Sequence, residues 1–209
     1  MTKWLLAPMR FYIRVVFIVA LILPQSGIAE PQRVAEAVGV TILSSNLANG
    51  NTVGEWGFSA LVKVDGRCVL FDAGRHPDTV IRNAAALQVD LSCVTDVVLS
   101  HFHFDHTTGL PSLISDLRKR NSNAIRRVHV AKGMFLSRRT PWKPAGEEGN
   151  EMIAMRESLK SNGVEFLEYS EPTEILPAVW VTGPVTRTHE EKTYSRAIEV
   201  NINGEWVVD

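Results

Sequence analysis

Little in this chain would hold it in a membrane. The apolar run Val15 to Leu23 is nine residues, whereas a helix crossing a bilayer takes ~20. Basic charge is also scarce, with 22 Lys and Arg against 23 Asp and Glu. That balance argues against a nucleic acid or an anionic membrane as the main partner, because such surfaces are usually built from clustered Lys and Arg. The one basic run, Arg118-Lys119-Arg120, reads as a solvated helix end. Cysteine is limited to Cys68 and Cys93, and internal repeats and low-complexity segments are absent.

What the first residues do contain is a targeting pattern. Lys3, Arg10 and Arg14 precede the apolar run, and Gly27-Ile28-Ala29 supplies small residues for a peptidase, so 1–29 reads as a signal peptide cut after Ala29. The protein is then expected to be exported, periplasmic or secreted. An uncleaved N-terminal anchor is the alternative, and a lipid anchor has no cysteine to attach to near the cut. Residues 30–209 form one domain with mildly acidic charge, 19 basic against 23 acidic.

An exported protein with two cysteines invites a disulfide, but the expected strand positions argue against it. If Arg67 to Asp72 and Val94 to Ser100 are parallel neighbours ending level at Asp72 and His101, Cys68 and Cys93 are offset by about 13 Å along the sheet. That is too far for a bridge, so both are expected to be free.

From Ala37 onward, short β-branched runs alternate with longer amphipathic ones. Val38 to Leu43, Phe58 to Val64 and Arg67 to Phe71 read as strands, the last two joined by an Asp65-Gly66 hairpin turn. A helix from Pro77-Asp78 to about Leu87 follows, then a buried strand Val94 to Leu99 and a helix Leu110 to Arg120. Arg127 to Ala131 and Val164 to Tyr169 are strands around a helix Glu147 to Ser161, which Asn162-Gly163 closes. Val179 to Thr182 and Ile198 to Ile202 are further strands, and Asn203-Gly204 is a turn. The stretch Ser137 to Gly149 is a long irregular connection, either a binding loop or a solvated insertion.

His101-Phe102-His103-Phe104-Asp105-His106 follows directly on a buried strand and holds four potential metal ligands in six positions. Such a run would arise by accident in roughly one chain in ten thousand. Ligands packed this closely need a loop, in which His101 and His103 can converge on one cation while Asp105 and His106 turn toward a second position. Imidazole and carboxylate suit Zn(II), one or two ions, and also Fe or Mn. Asp72 ends a predicted strand at the same sheet edge, where its carboxylate can accept from a ligand imidazole or the loop backbone, and Gly74 permits the turn after it.

Asp72-Ala73-Gly74 followed by the HxHxDH run resembles the first two motifs of the metallo-β-lactamase superfamily. Glu55-Trp56-Gly57-Phe58-Ser59, the hairpin into Asp72, Leu91 to Val98 and the Val181-to-Arg187 segment are similar to the branch of dihydropterin aminobenzene-ribofuranosyl-phosphate synthase-like proteins. The resemblance, covering about Val38 to Arg187, implies an α/β fold, a four-layered αββα sandwich with its metals at the sheet edge. It implies a hydrolase in which a metal-bound hydroxide, oriented by Asp105, attacks an ester, amide or phosphoester of a small-molecule substrate. In the named branch the reaction is instead a pterin-related transfer.

Two departures qualify this. Thr108 stands where the family often has glycine. Family members also supply a third histidine, often a bridging acid, and a last histidine from their C-terminal half. Here His76 could flank the pocket, His129 reads as a packed or edge-strand residue and His189 as a surface residue. With Asp209 inside an apolar strand, the sandwich is expected to be incomplete at the C-terminus. A non-catalytic, metal-binding domain is the competing class. Trp142, Arg187 and His76 could line a pocket, each with an equally plain structural reading.

Overall fold

The computed structural model describes residues 33–186 and 198–208. The expected signal peptide 1–29, Arg187, His189 and Asp209 lie outside them. Strands β1 (Val38–Ser44), β2 (Ser59–Val64) and β3 (Arg67–Phe71) open the domain, followed by helix α1 (Thr79–Ala86), strand β4 (Val94–Leu99), the single turn α2 (Phe104–Thr107) and α3 (Leu110–Arg118). Strands β5 (Arg127–Ala131) and β6 (Arg138–Arg139), helix α4 (Glu151–Ser161), and strands β7 (Glu165–Tyr169), β8 (Thr173–Leu176), β9 (Val179–Val181), β10 (Glu199–Ile202) and β11 (Glu205–Val208) complete it.

Asp65 and Gly66 both take positive φ, 50° and 81°, the backbone that lets a two-residue turn match the twist of its strands. It fixes β1–β2–β3 as an antiparallel meander, with Val38 opposite Val64 and Ala60 opposite Phe71. From β3 the sheet changes sense. Strands β3, β4, β5 and β7 run parallel, giving a six-stranded sheet ordered β1-β2-β3-β4-β5-β7. All four parallel strands therefore end at one edge, where the functional loops gather.

Alternate residues of this sheet face the helices. Leu61, Leu70, Val97, Leu99 and Val128 pack with Val80 of α1, Leu110 and Leu113 of α3 and Met152 and Leu159 of α4 in one buried cluster. Across the sheet, Phe71, Val98 and His129 line a cavity of 640 Å³ whose far wall includes Val181 and Val200. A second β layer, a three-stranded sheet ordered β11-β10-β6 and the β8–β9 ribbon, thus stands beside the face that carries no helix. Among the described residues no helix is long and apolar enough to cross a membrane.

Helix α4 starts at Glu151, later than the sequence suggests, because Asn150 caps it by accepting from the Met152 N–H at 3.0 Å. Glu148 stays outside the helix, accepting from the backbone N–H groups of Arg138 and Asn150. Arg118 is not the solvated charge its basic run suggests. Its guanidinium donates to the carbonyls of Ala124, Ile125 and Asn162, tying the end of α3 to the loops around it.

His129 lies inside the sheet on β5 and is 1 % exposed. Its Nε2 is 2.7 Å from Asp96 Oδ1 and its Nδ1 is 2.8 Å from the Tyr169 hydroxyl. Arg127 donates to both Asp96 oxygens at 2.6 and 2.9 Å. Burial raises the Asp96 pKa, but the hydrogen bonds from His129 and Arg127 outweigh it and hold the carboxyl well below its usual range. Both ring nitrogens of His129 are therefore engaged within the sheet, which removes it as a candidate ligand.

The cysteines are joined. Cys68 and Cys93 form a disulfide with a Cα–Cα separation of 5.6 Å, overturning the expectation that they are free. The error lay in the register. Phe71 pairs with Val98, so Asp72 is not level with His101, and a bulge at Cys68/Val69 brings Cys68 opposite Val94. Cys93 is then one residue from the Cα partner of Cys68. The bridge closes a loop of 25 residues in sequence separation, which in the chain-entropy picture stabilises by about 3 kcal/mol. The double variant C68A/C93A is expected to lose about that much in urea unfolding; an unchanged midpoint would remove the bridge from the stabilising features.

Candidate metal centre

Asp72 is the first residue after β3, and its backbone is in the left-handed region at φ 56°. This conformation is uncommon for a side chain other than Asn or Asp. It leaves the carboxylate 1 % exposed and facing the segment that leaves β4. Oδ1 accepts from the Ser100 N–H at 2.7 Å, and Oδ2 accepts from the Ser100 hydroxyl and sits 2.7 Å from His106 Nδ1. One carboxylate therefore orients both ends of the HxHxDH segment.

The backbones on either side are in contact as well. The Ala73 N–H donates to His106 O at 2.8 Å, Phe58 N–H to Asp105 O at 3.2 Å and Gly109 N–H to Gly74 O at 3.1 Å. Such approach leaves no room for side chains. A Cβ on Gly57 would lie 2.7 Å from Asp105 O, and one on Gly109 would collide with the carbonyl of Ala73. The HxHxDH residues are not all loop: His103 ends the extended stretch at ψ 144°, and Phe104 begins the α2 turn. Asp105 and His106 therefore stand on the α2 turn, whereas His101 and His103 precede it.

The rings are crowded. His101 and His103 have centroids 4.6 Å apart, His101 and His106 are 4.2 Å apart, and Asp105 Oδ2 lies 3.6 Å from His106 Nε2. The His101 pKa is pushed down to about 4, by burial first and then by the neighbouring His106 and His103. The hydrogen bond to Asp72 raises that of His106 against the opposing effect of burial. His106 spends Nδ1 on Asp72, and Ser100 Oγ is 2.9 Å from His101 Nδ1, which leaves Nε2 of each ring for another partner.

This donor set fits a divalent cation in its chemistry: imidazole nitrogens, one of them strongly disfavoured as a cation, beside a carboxylate. Among the described residues no three donors are already grouped as a metal cluster. His76 and Trp142 do meet at the site, lining one cavity with His103.

Sequence reasoning passed over Glu55 as chemistry. It is 7 % exposed and its Oε1 accepts from the Ser44 hydroxyl at 2.6 Å and the Arg75 N–H at 3.0 Å. Oε2 accepts from the His76 N–H and the Thr79 hydroxyl, both at 2.9 Å. Burial raises its pKa, but the four donors together lower it below the usual value. Thr108, the departure from glycine, donates its hydroxyl to the carbonyls of Arg75 at 2.6 Å and Phe104 at 2.7 Å. Arg138 also reaches the site, its guanidinium 4.0 Å above the Phe102 ring centre.

Because the Ala73 carbonyl facing Gly109 is backbone, relief requires the two loops to separate. Gly109→Ala is expected to cost about 1–3 kcal/mol in chemical denaturation. A variant as stable as the parent would show that this contact is not a constraint.

Comparison with known proteins agrees with this arrangement. Residues 57–191 match the family described as the metallo-beta-lactamase superfamily. The uncharacterized protein MJ0448 of Methanocaldococcus jannaschii is 30% identical over 156 residues, covering 72% of this chain and 55% of that protein. The endoribonuclease ysh-1 of Neurospora crassa is 33% identical over 94 residues, 43% of this chain and 10% of its own length. The 7,8-dihydropterin-6-methyl-4-(beta-D-ribofuranosyl)-aminobenzene-5'-phosphate synthase of M. jannaschii is 21% identical over 138 residues, 62% of this chain and 44% of that enzyme, a distant relative in the branch that the sequence resembles.

Among solved structures, Tm1679, described as a metal-dependent hydrolase of the beta-lactamase superfamily, superposes with a TM-score of 0.54 at 26% identity, covering 81% of this chain and 56% of that one. The chain spans about half the length of MJ0448 and of Tm1679. The endoribonuclease relatives overturn the expectation that nucleic acid is excluded: overall charge balance does not bear on a binding site built from a few local residues. With its matched span, its mixed α/β sheet and its paired Asp72 and HxHxDH loops, the chain belongs to the metallo-beta-lactamase superfamily.

Proposed function

We propose that this protein is an exported metal-dependent hydrolase acting on an ester, amide or phosphoester bond. His101, His103, Asp105 and His106 would hold one or two divalent cations, Zn(II) by preference. The observation that carries the reading is the Asp72 carboxylate, buried and spent on orienting Ser100 and His106. Partners behind a ligand imidazole fix its ring and raise its basicity, a use that a purely structural turn would not need. A cation held there supplies a nucleophilic water near neutral pH and polarises the bond to be cut.

The chain's own residues do the positioning. Asp72 presents the Nε2 edge of His106 outward, Ser100 meets the Nδ1 edge of His101, and the α2 turn carries Asp105 to the side of His106. In this reading Asp105 would orient the attacking water. The 640 Å³ cavity beside Ser100, His101 and Phe102 is of the size of a substrate site. Metal binding without turnover is the second reading.

Asp72→Asn isolates the carboxylate, because Asn also tolerates positive φ. Zinc affinity, read by competition with a chromogenic chelator, is expected to fall 10–100-fold in that variant and to vanish in H101A/H103A. Zinc-dependent cleavage of aryl esters or bis(p-nitrophenyl) phosphate should be lost in Asp105→Asn. Parent protein that binds zinc no better than H101A/H103A would overturn the proposal, and tight zinc without cleavage would select the second reading.

Export rests on the Lys3-to-Ala29 pattern and is supported by the Cys68–Cys93 bridge, since disulfides persist in oxidising compartments. N-terminal sequencing of the protein recovered from the producing cells is expected to start at Glu30. Recovery of an intact N-terminus in the reducing cytosol would contradict it.

A further inference from the structure

A second cavity, of 320 Å³, opens on the other side of the HxHxDH segment, at His103. Its wall carries two adjacent basic side chains, Arg75 and His76, and three aromatic rings, Phe102, Phe104 and Trp142. Both basic side chains are exposed, and neither has a carboxylate partner among the described residues. Trp142 is 60% exposed and Phe104 43%. The one carboxylate in the wall, Glu151, is paired with Lys143 at 3.1 Å.

Exposed charges are common, but these two stand on a backbone fixed at three points. Glu55 accepts from the N–H groups of Arg75 and His76, and Thr108 donates to the Arg75 carbonyl. Buried Glu55 and half-buried Thr108 thus lock the main chain, while the two side chains have no carboxylate partner. The Arg75 guanidinium lies 5.0 Å from the centre of the Phe104 ring, a contact that restrains it without using its N–H donors.

We propose that this cavity is a subsite for a phosphate group carrying a planar base, the unit of a nucleotide or of an RNA strand. This deepens the hydrolase reading and rests on it for the position of the bond to be cut. A guanidinium with free donors suits a phosphate, which it can hold through two parallel hydrogen bonds. His76 adds a second donor beside it. The open face of Trp142 suits a stacked ring, since every base has a π-face. A neutral acyl ester or amide would offer the Arg75 guanidinium no anionic partner. The cavity lies at the lower end of the range for ligand sites, about 300 to 1,000 Å³, which accommodates one nucleotide unit.

Calorimetric titration of the full chain in chelator reads the subsite apart from any metal. Adenosine 5′-monophosphate is expected to bind at least ten times more tightly than adenosine. Arg75→Met should reduce the monophosphate affinity about tenfold and leave adenosine unchanged, whereas Trp142→Ala should weaken both. A 5′-phosphorylated triribonucleotide binding more tightly than the monophosphate identifies RNA as the source of the unit, and equal binding identifies a free nucleotide. Monophosphate binding no tighter than adenosine, or insensitive to Arg75→Met, overturns the proposal. Phosphate selectivity that persists where the zinc-loaded parent hydrolyses nothing would sink the catalytic reading and leave the subsite standing.

Discussion

The buried carboxylate of Asp72 is the constraint on which the functional end of this protein depends. It sits where an antiparallel meander becomes a parallel sheet, and it takes three hydrogen bonds from the segment leaving the next strand. A carboxylate without partners there would be costly to bury, so the strand end and the HxHxDH segment stabilise each other. The backbone contacts at Phe58, Ala73 and Gly109 follow from that approach. Gly57 and Gly109 are the residues that make it sterically possible.

The sheet supplies the rigidity. Helices α1, α3 and α4 cover one face with a continuous apolar cluster. On the other face Asp96, Arg127, His129 and Tyr169 spend their polar atoms on one another. The two sets of contacts keep the ends of β3, β4 and β5 in register, and the HxHxDH segment inherits its position from them. Glu55 is a second, separate anchor. It gathers β1, the segment after Gly74 and the start of α1 onto one side chain.

Much of this was legible because local patterns and the sheet agree. Alternating apolar residues, the Asp65-Gly66 turn and the spacing of Asp72 from His101 encode the strands and the loop edge directly. What escaped detection depends on contacts between distant segments. The Cys68–Cys93 bridge turned on one bulge that shifts the register of β3 against β4. Glu55 looks in sequence like any acidic residue before a tryptophan, because its four donors come from positions as far apart as Ser44 and Thr79. The α2 turn is hidden by its length, since one helical turn has no periodicity to read. The placement of Trp142 beside His76 arises from the course of a long connection with no repeating pattern, and a whole-chain charge count averages away local groupings such as Arg75 and His76, so it could not exclude a nucleic-acid partner.

The Glu55 clamp separates two properties that are usually entangled. It grips the main chain of residues 75 and 76 and makes no use of their side chains, so the fold places little demand on which side chains stand there. Those two positions can therefore change in charge, size or shape while the HxHxDH segment stays where Asp72 holds it. A lineage built on this scaffold could retune what it recognises by substitution at two sites, with its chemistry and its stability carried elsewhere.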